Sequence, residues 1–371
     1  MTYGTINADL ITTSDGVSAA GLYGMKNRII NGDMRIDQRN AGASVTPTNQ
    51  QYLVDRWVAG LTQSSKYSFQ QNAGSVTPPS GFSKYLGITS LSAYTVTGND
   101  TFLLQQIIEG FNVADFEWGT ASASPATLSF WVRSSLTGTF GGSIATTKTA
   151  VWVMPFTYTI SSANTWTYIT VAITAPTATG GANTDNTAGV YVRFGLGSAG
   201  TSVGGTAGVW TSAGNYTQPT GSTSIVGTNG ATFYITGVQL EKGSTVTSFD
   251  YRPYGTELAL CQRYYYRTTP VTSSRICMAF ASTTTIAYGL INFPVTMRSA
   301  PSALEQSGTA GNYGIAYLAT SSTCSSVPTF YNGDTAGSQV QFTVASGLTA
   351  GQAISFYPTS TSGYLGWSAE L

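Results

Sequence analysis

Residues 126–136 read ATLSFWVRSSL, and their period decides the fold. Leu128, Phe130 and Val132 alternate with Ser129, Trp131 and Arg133, so an extended chain puts the first three on one face and the others on the opposite face. A helix would scatter the same side chains around its axis. GVYVRFGLG, residues 189–197, repeats the pattern with Val190, Val192, Phe194 and Leu196 set against Tyr191, Arg193 and Gly195. VMPFTYTI (153–160), TWTYITVAIT (165–174) and ATFYITGVQLEKG (231–243) add three more strands, separated by turns rich in Gly, Thr and Asn. TFLLQQIIEGFNVADF (101–116) fits both periods: Leu103, Leu104, Ile107 and Ile108 have helical spacing, while Phe102, Leu104, Gln106 and Ile108 alternate. A strand ended by Gly110 is expected there, because strands flank it on both sides. Many short strands without long helical periods between them predict an all-β chain, with a two-sheet, jelly-roll-like β-sandwich over residues 25–254.

Composition supports exposed β-structure. Of 371 residues only 9 % are charged, against about 25 % in ordinary soluble domains, while 12 % are aromatic and the formal charge is zero. Between Ala121 and Leu240 the charged residues are Arg133, Lys148, Asp185 and Arg193. No basic stripe can be assembled from these, which argues against nucleic acid as a partner. The first thirty residues lack the basic start and apolar core of a signal peptide, and no run of about 20 apolar residues predicts membrane insertion. Three scattered cysteines, Cys261, Cys277 and Cys324, give no disulfide framework and leave at least one thiol unpaired, which fits assembly in a reducing cytoplasm.

Punctuation marks three regions. Residues 1–24 are small and polar with no sustained period, and read as either a disordered terminus or an arm that orders on a partner. MKNRIINGDMRIDQRNAGASVT (25–46) then concentrates mixed charge, which suggests local ion pairs, and Asn31-Gly32 between Ile29-Ile30 and Met34/Ile36 predicts a hairpin closing one end of a sheet. Asp55-Arg56 beside Trp57 reads as a charge pair at a domain edge. Pro253-Tyr254-Gly255 breaks the chain; Thr256 can cap a short connecting helix starting at Glu257, with Leu258, Cys261 and Tyr265 on one face. Strand patterning resumes in RICMAFA, TIAYGLINF, GIAYLAT, SQVQFTVA and AISFYP, so residues 255–371 are expected to form the helix and a smaller C-terminal β-sandwich.

Chemistry is limited by what is missing. With no histidine, Ser-His-Asp and Cys-His schemes are excluded, and without a CxxC pair or a DxDxDG loop no zinc or calcium site is expected. No cofactor motif occurs: Gly-rich GLGSAGTSVGGTAG (195–208) lies between β-runs and offers no helix N-terminus to a phosphate. Glycoside cleavage needs only two carboxylates, and Glu109 with Asp115 or Glu117 could supply them, although turn caps and arginine pairs use the same residues. Sugar recognition without cleavage needs aromatic faces among small hydrogen bonders. Tyr313, Tyr331, Tyr364 and Trp367, in Gly-flanked stretches, are the candidate loop-tip contacts.

NRIINGDMRIDQRNAGAS (27–44), YLVDRW (52–57), LQQIIEGFNVADFEWGTASASPATLSFWVRSSLTGTFGG (104–142), PFTYTISSANTWTYITVAI (155–173) and ATFYITGVQLEKGSTVTSFDYRPYGTELALCQRYY (231–265) resemble, in this order, a family of tailed-bacteriophage fibre proteins. The resemblance spans roughly residues 25–266. It implies a carbohydrate-binding-module-like jelly roll, a place in the virion, and a homotrimer. Residues 1–24 then correspond to a virion-attachment arm gripping other virion proteins, and residues 255–371 to a tip that meets a bacterial surface glycan. Leu258, Cys261 and Tyr265 become the candidate trimer contacts. The alternatives are a capsid-borne head fibre or decoration protein, and an envelope-polysaccharide depolymerase acting through Glu109.

Overall fold

The computed structural model describes residues 25–177, 180–318 and 320–371; the proposed arm, residues 1–24, lies outside them. The chain divides into two compact units, the first running to Pro253 and the second from Tyr254 to Leu371. In the first unit the strands are β1 (Trp57–Leu61), β2 (Tyr67–Gln71), β3 (Leu86–Ser90), β4 (Thr101–Glu109), β5 (Ala126–Ser134), β6 (Gly138–Thr146), β7 (Trp152–Ile160), β8 (Thr167–Ile173), β9 (Ala188–Ser198) and β10 (Thr232–Lys242). They form two five-stranded antiparallel sheets ordered β1-β4-β9-β6-β7 and β2-β3-β10-β5-β8. This is a jelly-roll-like β-sandwich, and 101–109 is a strand ending before Gly110.

Alternation fills the core. Leu128, Phe130 and Val132 of β5 meet Val190, Val192, Phe194 and Leu196 of β9 in one cluster, and the Phe130 and Phe194 rings lie 5.0 Å apart, edge to face. Burying each such side chain is worth about 1.5–3 kcal/mol. The outer faces differ. On the β9 side, Arg193 is buried, donating from Nη1 to Asn215 Oδ1 at 2.7 Å under the segment that follows β9. The glycines make room for this cover: a Cβ at Gly195 would overlap the Gln218 side chain, and one at Gly141 would press on Gln218 and Pro219. GLGSAGTSVGGTAG therefore leads into a lid over one sheet, with residues 200–202 forming a single 3-10 turn. The outer face of β10-β5-β8 carries Trp131 and Tyr168 instead.

One expectation is corrected at residues 25–44. Asn31-Gly32 does form a turn, with Met34 N–H donating to Asn31 O at 3.2 Å, but no strand flanks it. The central part of the segment, residues 27–36, is largely buried irregular backbone held between the sheets. β3 pairs with β10 only over Thr232–Ile235; beyond it Arg28 N–H donates to Leu240 O at 2.8 Å, and Val238 N–H to Gly32 O at 2.9 Å. Asn27 accepts at Oδ1 from Ile29 N and Leu240 N and donates from Nδ2 to Val238 O. From the other sheet Gln106 of β4 brackets Ile30, accepting from its N–H and donating to its carbonyl, both at 2.8 Å, while Trp57 of β1 donates from Nε1 to Asn31 O at 3.0 Å. Arg252 donates to Ile29 O and Asn27 O. A strand was the wrong reading because two backbone bonds join the segment to β10, and side chains supply the other partners named here in place of a continuous ladder. Asp55 and Arg56 are likewise interior rather than at an edge: Asp55 accepts from Gln38, and Arg56 donates to Ile107 O.

The second unit begins with α1 (Tyr254–Gln262). The helix starts two residues before the expected cap, so Thr256 is inside it, and its buried positions are Glu257 and Cys261, one turn apart. Strands β11 (Tyr265–Arg267), β12 (Cys277–Ala281), β13 (Ile286–Asn292), β14 (Glu305–Gln306), β15 (Tyr313–Tyr317), β16 (Thr320–Thr323), β17 (Thr329–Gly333), β18 (Gly337–Thr343), β19 (Ala353–Pro358) and β20 (Leu365–Ser368) follow. They make a three-stranded sheet, β11-β20-β14, and a seven-stranded sheet, β16-β15-β19-β12-β13-β18-β17. Phe342 and Phe356 stack 4.0 Å apart in the core between them.

Replacing Gly32 with alanine tests the buried segment, because the new Cβ would sit 2.2 Å from the Val238 carbonyl oxygen, an atom of the backbone that cannot swing away. Gly32→Ala should cost at least about 2 kcal/mol, read as a lower urea midpoint; an unchanged midpoint would show that the segment is not pinned to β10.

Candidate binding site

The expected contact residues are dispersed by the structure. Tyr313 and Trp367 are 0 % exposed, and this is a correction: both lie on strands of the second unit's core, where Tyr313 Oη donates to Tyr364 O at 2.8 Å and Trp367 stacks on Tyr266. A ring with no exposed face has none to offer a ligand. Tyr364 is half-buried with the Arg267 guanidinium 3.5 Å from its ring centroid, a cation–π contact. Only Tyr331 stands out, 54 % exposed. Of the proposed interface residues, Cys261 and Tyr265 are buried and Leu258 is half-buried. Tyr265 is not on the helix but opens β11, where its hydroxyl donates to Glu305 Oε2 at 2.8 Å.

The acidic residues do not share one environment either. Glu109 is buried at the end of β4, whereas Asp115 and Glu117 are exposed. Asp115 is engaged by Arg28 at 2.9 Å and Lys242 at 3.8 Å. All three cysteines are free thiols, and burial pushes Cys277 and Cys324 up to about 12, well away from a reactive thiolate. Among the described residues no group of three or more His, Cys, Asp or Glu side chains is placed to hold a metal ion.

A cavity of ≈ 230 Å³ opens on the uncovered face of β10-β5-β8, and its walls come from five separate stretches of the chain. The parity that buries Phe130 turns Trp131 outward, and β8 pairs Tyr168 directly with it, their rings 5.1 Å apart. Opposite stand three packed rings: Phe82 and Phe249 at 5.1 Å, Phe249 and Tyr251 at 5.0 Å, Phe82 and Tyr251 at 5.5 Å. Tyr251 Oη donates to Gly81 O, which fixes the ring beside the opening. The floor is Gly237, at the bulge where β10 slips register against β5 between Thr236 and Gln239. Gly237 has φ 62°, and a Cβ there would stand 2.6 Å from Phe82 and 3.2 Å from Trp131. Only glycine lets these rings approach the floor.

Ser80, Ser129 and Ser248 complete the lining, so the wall holds hydroxyls and aromatic faces and no carboxylate, amine, guanidinium or imidazole. Burial, and secondarily Asp33, raise the pKa of the Tyr251 phenol, which therefore stays a neutral hydroxyl. Tyr251 and Tyr168 remain 50 % and 42 % exposed. The volume lies below the roughly 300–1,000 Å³ of drug-sized sites, a scale suited to one small ring. The site escaped sequence reasoning because its rings are far apart along the chain. Their one local signal was parity: Trp131 and Tyr168 are large aromatics at outward positions.

No protein family matches the sequence, and neither does any curated protein. Solved structures similar to this chain include the enzymatically active domain of bacteriophage CBA120 tailspike protein 4, at 13 % identity and a TM-score of 0.31, covering 58 % of this chain and 21 % of that one. The chain thus spans about a fifth of the length of that tailspike domain. The family 11 carbohydrate-binding module of Clostridium thermocellum, in complex with a β-1,3-1,4-mixed-linked tetrasaccharide, is 12 % identical with a TM-score of 0.26, covering 56 % of this chain and all of that one. The CBM22-1 xylan-binding domain of Paenibacillus barcinonensis Xyn10C is 7 % identical with a TM-score of 0.27, covering 56 % and 99 %.

Gly237→Ala should destabilise the first unit by about 1–2 kcal/mol for its left-handed backbone alone, and should displace Phe82 and Trp131. Near-ultraviolet circular dichroism with urea unfolding checks both; a native spectrum and midpoint would mean that the floor does not depend on glycine.

Proposed function

We propose that the protein is a non-catalytic component of a tailed-phage virion, a fibre protein that binds glycans of the bacterial surface and works as a homotrimer, with residues 1–24 joining it to other virion proteins. The observation that carries the glycan reading is the uncharged cavity walled by Trp131, Tyr168, Phe82, Phe249 and Tyr251. A sugar ring presents weakly positive C–H groups on its faces and hydroxyls around its edge. The first suit the negative face of an aromatic ring, and the second suit serine and tyrosine hydroxyls. An anion would find no positive partner in this wall, and a cation no carboxylate. Virion and tail-fibre placement rest on the sequence motifs.

A non-catalytic role is supported by the fate of the acidic residues. Asp115 is paired with Arg28 and Lys242, the ordinary use of a surface carboxylate. Glu109 is enclosed at a strand end rather than set in an open cleft.

Titration of the intact protein with neutral bacterial-envelope oligosaccharides, followed by tryptophan fluorescence, tests this reading. Trp131→Ala and Tyr168→Ala should each weaken binding about tenfold or more, the loss expected when a central aromatic anchor is truncated. Undiminished affinity in both variants would remove the cavity from the account. The affinity should also be flat from about pH 5 to pH 9, since no lining group belongs to a class that titrates there. A bell-shaped or sigmoidal profile would point to a site containing a carboxylate or an amine.

A further inference from the structure

The second unit carries its own recess, of ≈ 420 Å³, at the end of the seven-stranded sheet where β13, β18 and β17 run side by side. We propose that it is a second saccharide site, selective for uncharged sugar units, built independently of the cavity in the first unit.

The register brings its residues together. Leu290 of β13 pairs with Gln339 of β18, and Gln339 pairs with Asn332 of β17, so the three occupy one row across the sheet. The pairing of β17 with β18 slips between Phe330 and Asn332. Phe330 faces Val340 and packs on the core, while Tyr331, the extra residue, turns to the open face and meets Tyr288 at 4.5 Å between ring centroids. The bulge thus presents a tyrosine and an asparagine consecutively on one face, which a regular strand cannot do.

Three features make this row a site for a hydroxylated ligand. First, the side-chain amides of Asn292, Asn332 and Gln339 line the recess and make no hydrogen bond within the protein among the described residues. Each amide offers both a donor and an acceptor, the two roles a sugar hydroxyl needs answered. Second, Leu290, 59 % exposed, and the Tyr331–Tyr288 pair give apolar and aromatic surface on the same sheet face. Third, the turn is made rigid by Asp334, whose Oδ1 accepts from Ala336 N at 2.7 Å and Gly337 N at 3.0 Å. That carboxylate also lines the recess, and no lysine or arginine does. An anionic sugar placed there would meet like charge with no counter-charge. The recess volume falls within the roughly 300–1,000 Å³ of small-molecule sites.

Saturation-transfer NMR on the full chain tests the proposal, with the methyl glycosides of glucose, galactose, mannose and N-acetylglucosamine as probes and galacturonic acid as the anionic comparator. The starting protein carries Trp131→Ala and Tyr168→Ala, which silences the first cavity. At least one neutral glycoside should still give signal, and adding Asn332→Ala and Gln339→Ala should lower it about fivefold or more. Galacturonate should give none until Asp334→Asn is introduced; asparagine keeps the oxygen that accepts from Ala336 and Gly337, so the turn survives while the charge goes. No neutral signal in the starting protein, or a signal indifferent to Asn332→Ala and Gln339→Ala, overturns the second site. A fall in oligomer mass by light scattering in the Asn332/Gln339 variant overturns it as well, by making this face a contact between copies. Loss of the first cavity's binding alone leaves the prediction for this recess unchanged, so the two readings fail separately.

Discussion

Backbone that enters a protein interior without joining a sheet needs partners for its amides and carbonyls, and between Asn27 and Gly32 many of these are side chains, beside two backbone bonds to β10. Asn27 and Arg252 supply them from the β10 side, Gln106 and Trp57 from β4 and β1 of the opposite sheet. The segment is therefore a polar tie between two sheets that otherwise meet through apolar contacts. Such a network is costly to leave half made, since each orphaned group loses about 1–3 kcal/mol of hydration with nothing in return. It also explains why the strap after β10 folds back. Glu241 accepts from Thr247 at both its amide and its hydroxyl, Asp250 N–H donates to Gln239, and the chain is thereby led to Arg252.

The cavity is a by-product of the same tie. Where the segment takes the edge of β10 that β3 leaves, β10 bulges away from β5, and the bulge residue is Gly237. The strap that carries Arg252 inward also carries Phe249 and Tyr251 to the cavity rim. Fold-defining and cavity-lining residues thus alternate along one stretch, 237–252. The other sheet takes the opposite course: its glycines admit Gln218 and Pro219, so its outer face is closed by its own chain. One open face and one lidded face follow from where glycines stand in β6, β9 and β10.

Strands were legible because a period of two is a local property, and ATLSFWVRSSL shows it within a few residues. The buried segment was not, because Ile29, Ile30, Met34 and Ile36 bracket Asn31-Gly32 as a hairpin would, and the partners that replace the ladder come from residues 57, 106, 238 and 252. Tyr313 and Trp367 misled for a related reason. Gly and Ser neighbours suggested loop tips, but Gly314 and Gly366 lie in β15 and β20, where a Cβ would strike the Tyr357 and Tyr265 rings. Those glycines mark tight packing of aromatics in a sheet, not exposure. Tyr331 escaped burial through a bulge, a feature of register that no single strand announces.

Neither recess is lined by a positive charge, and the second holds one carboxylate, Asp334, so any contact with a neutral sugar would rest on rings and hydrogen bonds. An aromatic pair contributes about 0.5–1.5 kcal/mol beyond its buried area, and a neutral hydrogen bond about 0.5–1.5 kcal/mol net. A few of each lead to roughly 4 kcal/mol, a millimolar dissociation constant. That would be too weak for one copy of the proposed fibre protein to hold a virion to a cell. Linked sites change the arithmetic, because the second contact forms at an effective concentration set by the tether and raises avidity by about 10²–10⁴ without new chemistry. The proposed homotrimer, with two sites on each chain, would therefore gain adhesion from repetition rather than from charge. A chain with 9 % charged residues has little electrostatic attraction to spend, and hydroxyl, amide and ring surfaces used many times over are the physical alternative left to it.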